Sequence, residues 1–303
     1  MTELVQQVFN GLSLGSIYAL IALGYTMIYG ILRFINFAHG DVFMIGAFSG
    51  YYLAMVFGFT SATGIASYVL PLVILISAMI ICSLLGFTIE KLAYKPLRAS
   101  PKLTILITAI GVSLFLEYTG QLVFGPDPKS FPTLIENKPV LTISGAIISM
   151  DPLVVIITAL VLMFVLRLIV MKTKMGTAMR AVSFNMTAAS LMGININRIV
   201  SFTFILGSSL AAAAGILYGL NYPSIDPLMG ILPGIKAFVA AVLGGIGNIA
   251  GAALGGLIIG TLETFVVGYI SPTYRDAIAF GILILILLFK PTGLLGKKEV
   301  EKV

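Results

Sequence analysis

The sequence predicts an all-α protein, a polytopic transmembrane helix bundle of about 8 to 10 membrane segments that include broken or re-entrant helices. Three observations carry this reading. Of 303 residues, 59% are hydrophobic and only 10% are charged, whereas soluble domains carry roughly 25% charged residues. Apolar runs long enough to cross a hydrocarbon core about 30 Å thick recur along the whole chain. The basic residues gather in short segments between those runs, as topology signals do. Helices are favoured over a barrel because a barrel needs alternating segments of about ten residues, not long continuous runs. Residues 1–303 read as a single transmembrane domain with no room for a separate soluble module.

The apolar runs cover residues 12–32, 37–57, 67–89, 103–124, 152–171, 199–220, 235–270 and 277–289. The first ten residues carry Glu3 and no Lys or Arg. They lack the basic region of a signal peptide, so the first helix is expected to be retained. Lys91, Lys95, Arg98 and Lys102 form one basic group, Lys172, Lys174, Arg180 and Arg198 a second, and Lys290, Lys297, Lys298 and Lys302 a third. All three are expected on the cytoplasmic side. Segment 125–151 mixes Asp127, Glu136 and Asp151 with Lys129 and Lys138 and is expected outside. For the C-terminus to lie inside, run 235–270 must cross twice or re-enter, and Gly244, Gly245, Gly247 and Asn248 interrupt it. The N-terminus is then outside if the first two runs each cross once; a re-entrant element near residues 34–41 would reverse it.

Small residues at four-residue spacing, namely Gly46 and Gly50, Gly247, Gly251 and Gly255, and Gly256 and Gly260, share helix faces and let backbones approach closely. A short echo links Leu14-Gly15-Ser16 to Leu206-Gly207-Ser208, and Ile35-Asn36-Phe37 with Asp41 to Leu220-Asn221-Tyr222 with Asp226. Transporters often contain such repeats, but the unequal gaps leave chance as a rival. The single cysteine, Cys82, excludes an intramolecular disulfide and reads as a small packing residue.

Several chemistries are excluded. The net charge of +6 is spread over short inter-helix segments, without the long basic stretch or stacking platform of a nucleic-acid binder. No phosphate-cradling G-x-x-x-x-G-K-[ST] loop occurs, so the chain is not expected to hydrolyse ATP on its own and no cofactor is expected in it. His39 is the only histidine, which argues against a His-based zinc site. It has no serine elbow beside it, which disfavours an intramembrane hydrolase. What remains is a small set of polar groups in apolar runs: Asp41, Glu117, Arg167 and Glu263, with His39 and Arg33 nearer an edge. Insertion of Asp, Lys or Arg at a helix centre costs about 2.5 to 3.5 kcal/mol, so each group should face protein or water. Arg167 reads as a snorkelling residue. Asn36, His39, Asp41, Glu117, Asn221, Asn248 and Glu263 are the candidates for a polar pathway or for interhelical hydrogen bonds. At Glu263 a polar group is expected to matter more than a charge, so that Gln is tolerated and Leu is not.

The segment at about residues 172–198 runs Lys174-Met175-Gly176-Thr177-Ala178-Met179-Arg180-Ala181 and then Thr187-Ala188-Ala189-Ser190-Leu191-Met192-Gly193-Ile194. A small-residue helix surface between two crossings fits a groove on another protein; the competing reading is a plain surface helix. If the helix is continuous, Ala189 and Gly193, four positions apart, share the docking face.

These residues resemble the coupling-loop pattern of ABC importer permeases, in which Glu-Ala-Ala, three residues and Gly dock on an ATPase. Ala188, Ala189 and Gly193 keep the spacing, Thr187 replaces the Glu, and the later Ile-x-Leu-Pro part gives way to Thr203-Phe204-Ile205-Leu206. The resemblance assigns Gly176, Arg180, Ala188, Ala189 and Gly193 to ATPase coupling. Across nearly the whole chain the sequence is similar to the branched-chain amino-acid permease family, LivH type. The similarity rests on Asn10-Gly11-Leu12-Ser13-Leu14-Gly15-Ser16-Ile17-Tyr18-Ala19-Leu20, Ile35-Asn36-Phe37-Ala38-His39-Gly40, Lys236-Ala237-Phe238, Gly244-Gly245-Ile246-Gly247-Asn248 and Pro291-Thr292-Gly293-Leu294-Leu295-Gly296. It implies a permease in the plasma membrane of a bacterium or archaeon. It also implies a second, LivM-like permease, two ABC ATPase subunits and an extracytoplasmic substrate-binding protein for leucine, isoleucine or valine. The alternative is an ion-coupled secondary amino-acid carrier using Asp41, Glu117 or Glu263 as proton or cation ligands.

Overall fold

A computed structural model describes residues 2–58, 66–135, 138–143 and 146–296. Glu136, Lys297, Lys298 and Lys302 of the charge groups above lie outside these residues. The helices in chain order are α1 (Thr2–Leu32), α2 (His39–Val56), α3 (Ala66–Ile89), α4 (Lys102–Phe124), α5 (Met150–Lys172), α6 (Lys174–Phe184), α7 (Met186–Leu191), α8 (Ile196–Asn221), α9 (Ile231–Gly244), α10 (Ile249–Tyr269) and α11 (Arg275–Phe289). A π-turn, Glu90–Tyr94, prolongs α3, and a 3-10 turn, Pro272–Tyr274, leads into α11. Among the described residues, 7 helices are long and apolar enough to cross a membrane. The chain is thus an integral membrane protein of helical-bundle type. Short strands form two antiparallel pairs: β1 (Lys129–Ser130) with β4 (Ser224–Ile225), and β2 (Pro139–Ile143) with β3 (Ala146–Ser149).

Contacts assign the helix ends to two faces of the bundle. At one, the basic end, Arg98 bonds to Asn197, Ser183 to the Gly30 carbonyl, and the Leu294 and Leu295 amides to Leu243 and Gly244. At the opposite end β1 meets β4, and Lys129 donates to Tyr52. Following the chain, α1 therefore runs from the opposite end to the basic end and α2 returns. Segment 33–38 enters the bundle far enough to bring His39 beside Gly24 of α1, but α2 continues to the opposite end, so these two helices make two passes. Run 235–270 resolves into α9 and α10, separated at residues 245–248. Gly245 and Gly247 adopt φ +105° and +93°, values that glycine reaches without Cβ strain. Asn248 then caps α10 by accepting from the Gly251 amide. Gly247 consequently stands before α10, not on the glycine face predicted for it.

α1 and α8 form the centre: 89% of the apolar window of α1 is buried, against 11% of that of α11. Small residues permit this packing. A Cβ at Gly256 or Gly260 would collide with the backbone of Ala19 or Gly15, and one at Gly46 with that of Ala212. The neighbour relations are duplicated with reversed polarity. α1 lies on α10 and α9, while α8 lies on α3 and α2, and α1 and α8 run in opposite directions. The pairs α1/α8, α2/α9, α3/α10 and α4/α11 are thus related as an inverted-topology repeat. Leu14-Gly15-Ser16 and Leu206-Gly207-Ser208 occupy buried stretches of the two equivalent central helices. At the centre of this relation the first turn of α2 meets the start of α9, with Gly40 against Gly230 and Gly234, backbone to backbone.

Candidate functional site

Near the opposite end, four charged residues from three helices meet an α1 tyrosine. Glu263 of α10 and Lys236 of α9 are almost wholly buried and lie 3.0 Å apart. Tyr18 of α1 donates to the same carboxylate at 3.0 Å, and Arg275, at the start of α11, donates to it from Nε. Lys236 also pairs with Asp276 at 2.6 Å. The guanidinium of Arg275 lies 5.7 Å from the centre of the Tyr222 ring. The two acids and two bases balance, which is what a low-dielectric site demands of buried charge. Glu263 was legible as a buried acid, but its partners are charged, so the expectation that polarity matters more than charge there is revised.

Beside this network opens a cavity of about 430 Å³ between α1, the start of α5, the end of α8, α10 and the start of α11. Asn221 and Glu263 both line it, and Asn221 donates to Ser13 at 2.5 Å. Just beyond α8, burial raises the Tyr222 hydroxyl above its ordinary pKa, opposed by the nearby Arg275 charge.

A second buried polar group joins α2 to α4. Ser113 donates to Asp41 at 2.5 Å and lies 3.5 Å from Glu117. No ion pair to either carboxyl occurs among the described residues. Nearby, His39 is fully buried and edge-on to Tyr25 at a centroid distance of 4.8 Å.

The remaining pathway candidates lie toward the basic end and do not join these groups. Asn36 accepts from the Tyr94 hydroxyl at 2.5 Å. Asn248 caps α10 and donates to the Leu295 carbonyl at 2.8 Å, which ties the α9–α10 turn to the segment after α11. The structure adds a buried acid that sequence reading passed over: Glu90, in the π-turn, pairs with Arg98 at 2.5 Å and accepts from Ser201 at 2.7 Å.

Segment 172–198 is chopped by its own capping residues. The side chains of Thr173, Asn185 and Asn195 accept amides at the starts of α6, α7 and α8, as N-caps do. Gly193 ends α7 at φ +82°. The Gly193 amide bonds to Ser190 and that of Ile194 to Ala189, the paired bonds of a Schellman terminus. Ala189 and Gly193 therefore do not share one continuous helix face. Ala189 is turned into the chain's own core, whereas Ala188, Thr187 and Arg180 are exposed. Gly176 is buried against the end of α5, where a Cβ would strike the Ile169 and Val170 carbonyl groups. The surface presented at this end instead carries Phe184, Leu191 and Met192, which are 91%, 84% and 83% exposed.

A family model described as branched-chain amino acid transport system / permease component matches residues 7–287. The chain is 43% identical over 302 residues to the high-affinity branched-chain amino acid transport system permease protein BraD of Pseudomonas aeruginosa, covering 99% of this chain and 98% of that one. It is 44% identical over 304 residues to the permease protein LivH of the corresponding system of Escherichia coli K12, covering 99% and 97%. The probable branched-chain amino acid transport permease protein LivM of Methanocaldococcus jannaschii is 27% identical over 247 residues, covering 75% and 70%. No solved structure matches the chain.

Proposed function

The chain belongs to the branched-chain amino acid transport permease family, and on that premise we propose that it forms half of the translocation pathway of an ATP-driven importer for branched-chain or related amino acids. The observation that carries the ATP-driven part is the exposed apolar surface of α6 and α7. Phe184, Leu191 and Met192 stand out at the end of the bundle where the basic groups gather, and such a surface calls for a protein partner. In this reading two ABC ATPase subunits bind ATP, one of them docking there, and a second, LivM-like permease completes the pathway and carries the other. A substrate-binding protein meets the opposite end. The similarity of the chain to a LivM protein supports a paired permease of the same fold.

The positive-inside rule makes the basic end cytoplasmic, and the bacterial and archaeal relatives support a plasma membrane of that kind. In a Cys82→Ala background, an impermeant thiol reagent added outside should modify a cysteine placed at Asp127 and spare one at Lys174. Labelling at Lys174 would invert the orientation.

For the coupling role, Leu191→Asp and Met192→Asp should each lower recovery of co-purifying ATPase subunits and ATP-dependent uptake by about tenfold, at normal membrane levels of the chain. Wild-type recovery and uptake in both variants would remove this surface from coupling. Ala189→Trp, which overpacks the chain's own core, should instead lower the membrane level itself. The competing reading is an ion-coupled carrier working through the Asp41–Ser113–Glu117 group, and gradient-driven uptake by the chain alone would establish it.

A further inference from the structure

The cavity at the opposite end combines both signs of charge with an apolar wall. Its volume, about 430 Å³, falls within the roughly 300 to 1,000 Å³ of small-molecule sites. Asp151, Glu263 and Arg275 line it together with Leu14, Pro152 and Val267. These charges are not equally committed. Glu263 is fully buried and already accepts from Tyr18, Lys236 and Arg275, so its carboxylate has little left to offer a ligand. Asp151, in the first turn of α5, is half-buried and makes no ion pair among the described residues. On the basic side, Lys236 is closed off between Glu263 and Asp276. Arg275 keeps 36% of its side chain exposed and engages both Glu263, through Nε, and the Tyr222 hydroxyl, and its five-donor guanidinium retains N–H groups for a further acceptor.

Resting on the reading of this chain as an amino-acid permease, we propose that this cavity binds a free zwitterionic amino acid with an apolar side chain, its carboxylate on Arg275 and its ammonium on Asp151. Leu14, Pro152 and Val267 supply the surface against which the side chain loses water. The pairing of one available anion with one available cation disfavours ligands that carry a single charge, because such a ligand leaves one cavity charge desolvated and unmatched. This site is distinct from the surface of α6 and α7 at the other end of the bundle.

The test uses Asn10, which lines the same cavity, as a reporter. The full chain carrying Cys82→Ala and Asn10→Cys is reconstituted with whatever subunits co-purify, and its alkylation by a maleimide is followed. Leucine should slow the reaction, while leucinamide, which lacks the carboxylate, and 4-methylpentanoate, which lacks the ammonium, should not at the same concentration. Adding Asp151→Asn should raise the leucine concentration for half-protection by about tenfold. An unchanged rate at saturating leucine, equal protection by either analogue, or unaltered protection in the Asp151→Asn variant overturns the assignment. ATP-dependent leucine uptake in the same proteoliposomes separates the two claims. Uptake without protection removes the cavity site and leaves the importer reading intact. Protection without ATP-dependent uptake keeps the site and removes that reading.

Discussion

Glu263 and Asp41 are both acids sunk in a membrane helix bundle, at 0% and 2% exposure, yet their surroundings differ in kind. Glu263 meets two cations and a tyrosine hydroxyl. Asp41 meets one serine hydroxyl and a second acid, Glu117. The first arrangement neutralises charge by charge and binds α1, α9, α10 and the start of α11 into one block. The second joins α2 to α4 by hydrogen bonding, with no cation paired to it among the described residues. Burial alone therefore does not tell what an intramembrane acid does; the sign of its neighbours does.

Substitutions that treat the two acids alike sharpen this contrast. The largest effect is expected from Glu263→Leu, which leaves Lys236 and Arg275 with Asp276 as their one acidic partner in the network and so strands one positive charge beside the core. Loss of one partner of a buried pair costs about 3 to 5 kcal/mol, so the variant should be poorly recovered from membranes. Adding Lys236→Met should restore part of that recovery, since the stranded charge goes with it; a double variant worse than Glu263→Leu would mean that the network is not electrostatic. Glu263→Gln keeps a hydrogen-bond partner for Tyr18 but removes the counter-charge, and should lower detergent stability by about 1.5 to 3 kcal/mol, read as an earlier thermal unfolding transition. Asp41→Asn should be mildest, within about 1.5 kcal/mol, because the amide oxygen can still accept from Ser113. If Asp41→Asn proved as damaging as Glu263→Gln, a further cation would have to be sought beside α2 and the contrast would fail.

Much of the bundle is legible in the sequence because its solvent is hydrocarbon. Without water to satisfy backbone groups, long apolar runs can only be helices, and the glycine cluster at 244–247 marks the α9–α10 break. Glu263 stands out as an acid in such a run. Its partners do not: Tyr18 lies 245 positions away in sequence, a separation that leaves no local pattern. Arg275 and Asp276 look like loop residues ahead of an apolar run. Lys236 is a fair clue that was missed, since a lysine in the same long run as Glu263 is a ready counter-charge. The α6–α7 segment misleads differently. Its alanines argue for one unbroken helix, but Asn185 and Gly193 are cap residues, and cap geometry overrules propensity at helix ends. The residues that protrude there, Leu191 and Met192, were passed over in favour of small ones, of which Gly176 and Ala189 are tucked in.

The meeting of Gly40 with Gly230 has a mechanical consequence. No side chain stands between the two backbones, so nothing interlocks there, and the contact can act as a fulcrum. From it, α2 reaches toward the opposite end over 18 residues and α9 toward the basic end over 14, arms of about 27 Å and 21 Å. A tilt of about 5° at such a fulcrum sweeps either tip through about 2 Å at these arm lengths, enough to make or break a hydrogen bond at both membrane faces while the midpoint stays in register.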